Sequence, residues 1–168
     1  MNKLYYLAVP ALFLLFKKGL GVSALSYPDL VNKYYDKVRT LNQSFVPDSL
    51  VLAMIFTESA GDPTAVGDGG KSLGLMQIQA AAWQDSAAPY EYNKFNAFNA
   101  EKNIIAGTGY LQFLGRSTGY DIDNSIMAYN VGYGNLTSGD QKWQTRAENY
   151  LRTVRKHYKK IIPYLIGS

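Results

Sequence analysis

The sequence predicts an all-α domain preceded by a short apolar segment. Three observations carry this. Apolar residues recur at steps of three and four in several windows. One segment, Leu50 to Phe56, is apolar all round, as a core helix requires. No long window alternates apolar with polar residues as a half-buried strand would. The 168 residues suffice for one domain with a proper core and are too few for two comfortable ones.

The N-terminal segment comes first. Lys3 is followed by the uncharged stretch Leu4 to Phe16, then Lys17-Lys18-Gly19. The stretch is shorter than the ~20 apolar residues that span a bilayer. Its length is that of a signal-peptide apolar region, and Val22-Ser23-Ala24 would serve as a small-residue cleavage site. The two lysines between them are atypical for cleavage. Three readings therefore stand: a removed signal peptide, a retained membrane anchor, or a buried N-terminal helix. The first two make residues 1–25 an export or anchoring segment and residues 26–168 a domain outside the cytosol or at a membrane.

The helices come next, in order. Pro28-Asp29 opens a segment with Leu30, Tyr34, Val38 and Leu41 on one face. Pro47, with Asp48 and Ser49 in the first turn, starts the apolar helix, which Gly61 and Asp62-Pro63 terminate. Val66 to Ser72 is a glycine-rich loop. A third helix spans Asn99 to about Leu114, with Ile104, Ile105, Leu111 and Leu114 inward. Ile122, Ile126 and Tyr129 mark a fourth, and Gln144 to about Ile162 a last one carrying Tyr150, Val154 and Ile161 amid Arg and Lys.

Composition narrows the chemistry. The chain has no cysteine, which excludes disulfide scaffolds, thiolate metal sites and cysteine nucleophiles. Its one histidine, His157, excludes a multi-histidine metal site and would have to carry any Ser–His–Asp triad alone. Carboxylates are left as the natural proton carriers. Seventeen Lys and Arg against thirteen Asp and Glu give +4, which suits an anionic polymer or surface. Fourteen tyrosines offer flat apolar faces with a hydroxyl, useful in sugar-binding clefts, although packing alone could use most of them.

Glu58 is the residue to explain. It ends the apolar helix, so it lies near the negative end of the helix dipole and is partly desolvated. Both effects favour the protonated form. A carboxyl held neutral near pH 6–7 is what a general acid for glycosidic cleavage requires, the pattern of lysozyme. A plain alternative is a helix-end Glu paired with Lys71.

The residues after Glu58 add weight. Glu58-Ser59-Ala60-Gly61-Asp62-Pro63 leads into Ser72-Leu73-Gly74-Leu75-Met76-Gln77-Ile78-Gln79; then come Ala128-Tyr129-Asn130-Val131-Gly132 and Asn149-Tyr150-Leu151-Arg152. In this order and spacing the blocks resemble the soluble lytic transglycosylase family, enzymes of lysozyme-like α fold that cut peptidoglycan glycan strands. The resemblance runs from about Pro47 to Tyr158. It implies a lysozyme-like (goose-type/transglycosylase) helical domain and places the catalytic acid/base on Glu58. It implies substrate contacts at Ser72, Met76, Gln77, Gln79, Tyr129, Asn130 and Tyr150. Gly74 to Gln77 would wall the cleft opposite the acid, with the Gln77 amide offered to substrate and the Tyr129 hydroxyl near the scissile sugar. Each amide could instead stabilise its loop, and Tyr150 could be a core tyrosine.

Most glycosidases use two carboxylates. The family resembled is an exception. Glu58 would protonate the oxygen between MurNAc and GlcNAc, the N-acetyl group would stabilise the cationic centre, and the deprotonated Glu58 would accept the proton of the sugar's own 6-hydroxyl. The product is a 1,6-anhydro-muramoyl end, formed without metal or cofactor. Goose-type lysozymes, distant relatives that hydrolyse, resemble this chain in placing an aspartate where Asp68 stands. They carry a second aspartate where this chain has Gln79. Hydrolysis by Glu58 with Asp68 is thus the runner-up. A turn aspartate before Gly-Gly is the commoner meaning of Asp68. A catalytically silent glycan-binding or assembly module of the same fold is a third reading.

The basic residues Arg146, Arg152, Arg155, Lys156, Lys159 and Lys160 suit an anionic wall, a membrane surface or a solvated helix face. No nucleic-acid motif accompanies them. Peptidoglycan is the expected partner, in a bacterial envelope or on a phage virion.

Overall fold

Residues 24–165 are described by the computed structural model of the chain. The apolar stretch Leu4 to Phe16, read as signal, anchor or buried helix, lies outside the described residues. Leu25, inside the segment expected to lie apart from the domain, belongs to the packed structure. Its N–H donates to the Ala60 carbonyl at 3.1 Å and its side chain packs on the core.

The described residues are mainly helical. Helix α1 (Tyr27–Leu41) starts under a Ser26 cap whose hydroxyl accepts the Asp29 N–H, with a proline in its first turn. Leu30, Tyr34 and Val38 form its buried face, and Leu41 is half-buried. Helix α2 (Asp48–Ser59) follows Pro47 at the N-cap. Leu50 to Ile55 are all buried, as an all-apolar helix demands. The helix stops where Ala60 turns left-handed, at φ 53°, ahead of Gly61 at φ 84°.

A small antiparallel hairpin, β1 (Val66–Gly67) with β2 (Ser72–Leu73), brackets the glycine loop. The short helices α3 (Ala80–Asp85) and α4 (Lys94–Ala97) come next. Helix α5 (Ala100–Thr118) is capped by Asn99, continues past the expected Leu114 and closes where Gly119 turns left-handed at φ 66°, its N–H donating to the Gly115 carbonyl. Its inward residues are Ile104, Leu111 and Leu114; Ile105, expected with them, sits half-buried on the flank. Helix α6 (Ile122–Val131) starts at the Asp121 cap, and the single-turn α7 (Tyr133–Leu136) comes after it. Helix α8 (Gln141–Leu165) begins earlier than the expected Gln144. The Asp140 carboxylate accepts the Lys142 N–H and supplies the start.

Helix α2 forms the centre. It packs against α1 and α8, while α6 packs on α5 and α8, and α3 lies on α5. The C-terminal end of α2 therefore emerges between α6, α8 and the hairpin loop, which fixes where Glu58 can stand.

Candidate active site

Glu58 sits on the last turn of α2 and is half-buried. Its neighbour Ser59 points the other way, into the core, where its hydroxyl donates to the Leu75 and Ile55 carbonyls at 2.8 and 3.1 Å. That pair of contacts ties the helix end to the loop facing it. The Tyr150 hydroxyl, from α8, donates to Glu58 Oε1 at 2.6 Å. Burial pushes the Glu58 carboxyl up from 4.5 to about 7, against the Tyr150 hydrogen bond and the positive Arg146, which both pull it down. A carboxyl so raised can release its proton and take it back near neutral pH.

The loop opposite the acid is Gly74 to Gln77, and a buried asparagine builds it. Asn103, on α5, donates from Nδ2 to the Leu73 and Ala97 carbonyls at 3.0 and 2.8 Å and accepts the Met76 N–H at 2.8 Å. Gly74 stands at φ 78°, and a Cβ there would fall 2.2 Å from the Ala97 carbonyl oxygen and 2.3 Å from Asn103 Nδ2. Only glycine satisfies both the conformation and the space. The Met76 side chain is fully buried and seats over Gly107. Its contribution to the site is therefore its backbone: the Tyr129 hydroxyl, from α6, donates to the Met76 carbonyl at 2.9 Å. Gln77 adopts φ 47°, a costly conformation for a side-chain-bearing residue. Its own amide holds the turn, donating from Nε2 to the Ala65 and Gly74 carbonyls, both at 3.0 Å.

The glycine loop is clasped by Gln79. Its Nε2 donates to Asp68 Oδ2 at 2.9 Å and to the Ser72 hydroxyl at 3.1 Å. Ser72 is buried beneath this clasp. From α6, Asn130 accepts the Arg146 Nε–H on Oδ1 at 3.3 Å, and its buried Nδ2 has no partner among the described residues.

Glu58, Gln77, Gln79, Tyr129 and Asn130 line one pocket together with Ile78, Ala82 and Tyr110. Tyr150 stands against Glu58, while Met76 and Ser72 lie under the loop. Asp68 is reached through Gln79. His157 takes no part in this set: its Nδ1 meets the Tyr27 hydroxyl at 3.0 Å and its ring packs on Phe56. Among the described residues no group of three or more His, Asp or Glu is placed to hold a metal ion. Arg155, another member of the basic run, pairs with Asp123.

Two residues that matter here escape sequence reasoning. Asn103 reads as one polar residue in a helical window; its position on the same stripe as Gly107 and Leu111 was the available signal. Arg146 reads as one of several scattered basic residues on the last helix. Its spacing of four from Tyr150 puts both on one face of α8, and that spacing was legible.

The site is thus an ionisable carboxyl at the end of a core helix, faced by an amide-rich loop and flanked by two helices. The "Transglycosylase SLT domain" family matches residues 39–152, and the chain belongs to that family. Membrane-bound lytic murein transglycosylase C of Edwardsiella ictaluri is 36% identical over 118 residues, covering 62% of this chain and 33% of that protein. Its namesake from Serratia proteamaculans is 34% identical over 129 residues, covering 69% of this chain and 36% of that protein. The chain thus spans about a third of the length of these relatives. The 70-kDa soluble lytic transglycosylase of Escherichia coli superposes with a TM-score of 0.66 at 23% identity, covering 83% of this chain and 26% of that one. Its complex with bulgecin A gives 0.65 at 22% identity, covering 83% and 25%. These two likenesses show the shared fold.

Proposed function

We propose that the chain cleaves the MurNAc–GlcNAc β-1,4 bond of peptidoglycan by lytic transglycosylation, with Glu58 as its single acid/base. The observation that carries this is the Glu58 carboxyl itself. It is the one carboxylate among the residues lining the pocket, and burial raises it to about 7. Protonated Glu58 gives its proton to the glycosidic oxygen as the bond from that oxygen to muramoyl C1 breaks, and the sugar's N-acetyl oxygen shares the positive charge at C1. The 6-hydroxyl oxygen then bonds to C1 and its proton passes to the Glu58 carboxylate. Glu58 is restored and no water is consumed.

Tyr150 and Arg146 suit this cycle, since both stabilise the carboxylate that exists between the two proton transfers. The membrane-bound murein enzymes that the chain resembles support peptidoglycan as substrate and the bacterial envelope as location. Among the described residues no helix is long and apolar enough to cross a membrane.

One observation favours a second reading. Asp68 and Glu58 both act electrostatically on Arg146, so a second carboxylate stands in the neighbourhood of the acid, and a hydrolase would use it to activate water. Against it, Asp68 is engaged by Gln79. Asp68→Asn separates the two. The transglycosylase reading expects turnover on purified peptidoglycan to stay within about tenfold of the parent, the scale left when no base is lost. A loss of ~10²-fold or more would make Asp68 the base of a hydrolase.

A further inference from the structure

We propose that Arg146 is a positioning residue of the cleft: it fixes the Asn130 amide so that the Nδ2 donor is left for the glycan, and it places a positive charge beside Glu58. The inference rests on the glycan-cleaving reading of the site.

The amide argument is stereochemical. A guanidinium has only donors, so the Asn130 atom facing Arg146 must be the carbonyl oxygen. Nδ2 is then turned elsewhere. It is buried, belongs to a residue lining the same pocket as Glu58, and has no partner among the described residues. A buried N–H donor without an acceptor costs about 1–3 kcal/mol, so an acceptor supplied by substrate would recover that cost. The chemistry that fits is a neutral oxygen, an N-acetyl carbonyl or a sugar hydroxyl.

The charge argument is topological. Arg146 and Tyr150 are four residues apart on α8 and so share a face, with Tyr150 bonded to Glu58. The arginine lies over the Trp143 ring at 5.9 Å, half-buried, which restrains its swing. The titratable and charged groups facing Glu58 are Tyr150 and Arg146 from α8 and Tyr129 from α6; Asp68, from the hairpin loop, faces Arg146. Among the described residues facing Glu58, Arg146 is the one charged near neutral pH. Its removal leaves the protonated acid favoured to higher pH.

The test is the pH dependence of glycan-strand cleavage by the full chain, with Arg146→Gln and Arg146→Lys beside the parent. The alkaline limb, where Glu58 loses its proton, is expected to move up by about half a unit to one unit in Arg146→Gln and to return towards the parent in Arg146→Lys. KM is expected to rise about 5-fold in Arg146→Gln as the Asn130 donor loses its fixed direction. An unmoved limb in folded Arg146→Gln would overturn the charge role, and an unchanged KM the Asn130 role. Should Arg146→Gln not fold, Arg146→Lys decides. The Lys side chain keeps the charge but not the planar contact to Asn130, so a parental limb with raised KM supports the proposal and parental values of both overturn it. Failure of the underlying reading shows separately, as a Glu58→Gln variant that still cuts glycan.

Discussion

Glu58→Gln is expected to lower turnover on peptidoglycan by at least ~10²–10⁴-fold, because the amide keeps the shape of the acid and cannot donate to the leaving oxygen. The same substitution has a stability signature with a definite sign. The carboxyl is raised from 4.5 to about 7 by folding, so the folded chain binds this proton more tightly than the unfolded chain does. The resulting stabilisation is fully present below about pH 4.5 and lost as pH rises through about 7. Glutamine does not titrate. The variant should match the parent near pH 8 less well than near pH 4: at the higher pH it should be the more stable, by at most about 3 kcal/mol. Urea unfolding at the two pH values reads this, and turnover above a tenth of the parent's would remove Glu58 from its role.

The second large effect is structural. Asn103→Ala takes three hydrogen bonds from the buried loop, stranding the Ala97 carbonyl and the Met76 N–H and leaving the Leu73 carbonyl with the Ile78 N–H alone. Each stranded group costs about 1–3 kcal/mol, so a loss of about 3–5 kcal/mol of folding stability is expected. Activity should fall in the protein that remains folded, because the Met76 backbone also receives Tyr129 and so links the loop to α6. A loss below about 1 kcal/mol would mean that the loop is held by other contacts.

These two residues show what the sequence could and could not disclose. The helices were legible wherever one face is apolar, as with Leu30, Tyr34 and Val38, or wherever a whole turn is apolar, as in α2. Starts were legible at Pro28-Asp29, Pro47 and Asn99, whereas the caps Ser26 and Asp121 emerge only with the backbone, where their short side chains meet the first N–H groups. The short helices α3, α4 and α7 and the two-residue strands were not legible, since no periodic pattern fits within one turn.

At the site, Glu58 could be singled out from the uncharged helix before it, and the rise of its carboxyl came from the same feature. The duties of the amides could not be read. Gln77 and Gln79 have the same side chain; one closes its own turn and the other clasps Asp68 and Ser72, and only the path of the backbone decides which. The Tyr129 hydroxyl, expected near the sugar, is bonded to the Met76 carbonyl, a contact that no sequence pattern announces. Arg146 shares a helix face with Tyr150 by its spacing of four, but only the packing of α8 on α2 and α6 brings it to Asn130 and Glu58.

The central claim is that Glu58 works without a water nucleophile, and digestion of purified peptidoglycan in ¹⁸O-labelled water tests it most directly. The account predicts 1,6-anhydro-muramoyl ends, lighter by one water than the hydrolytic product and free of the label in their mass spectra. Reducing muramoyl ends carrying ¹⁸O would contradict it and make the chain a hydrolase.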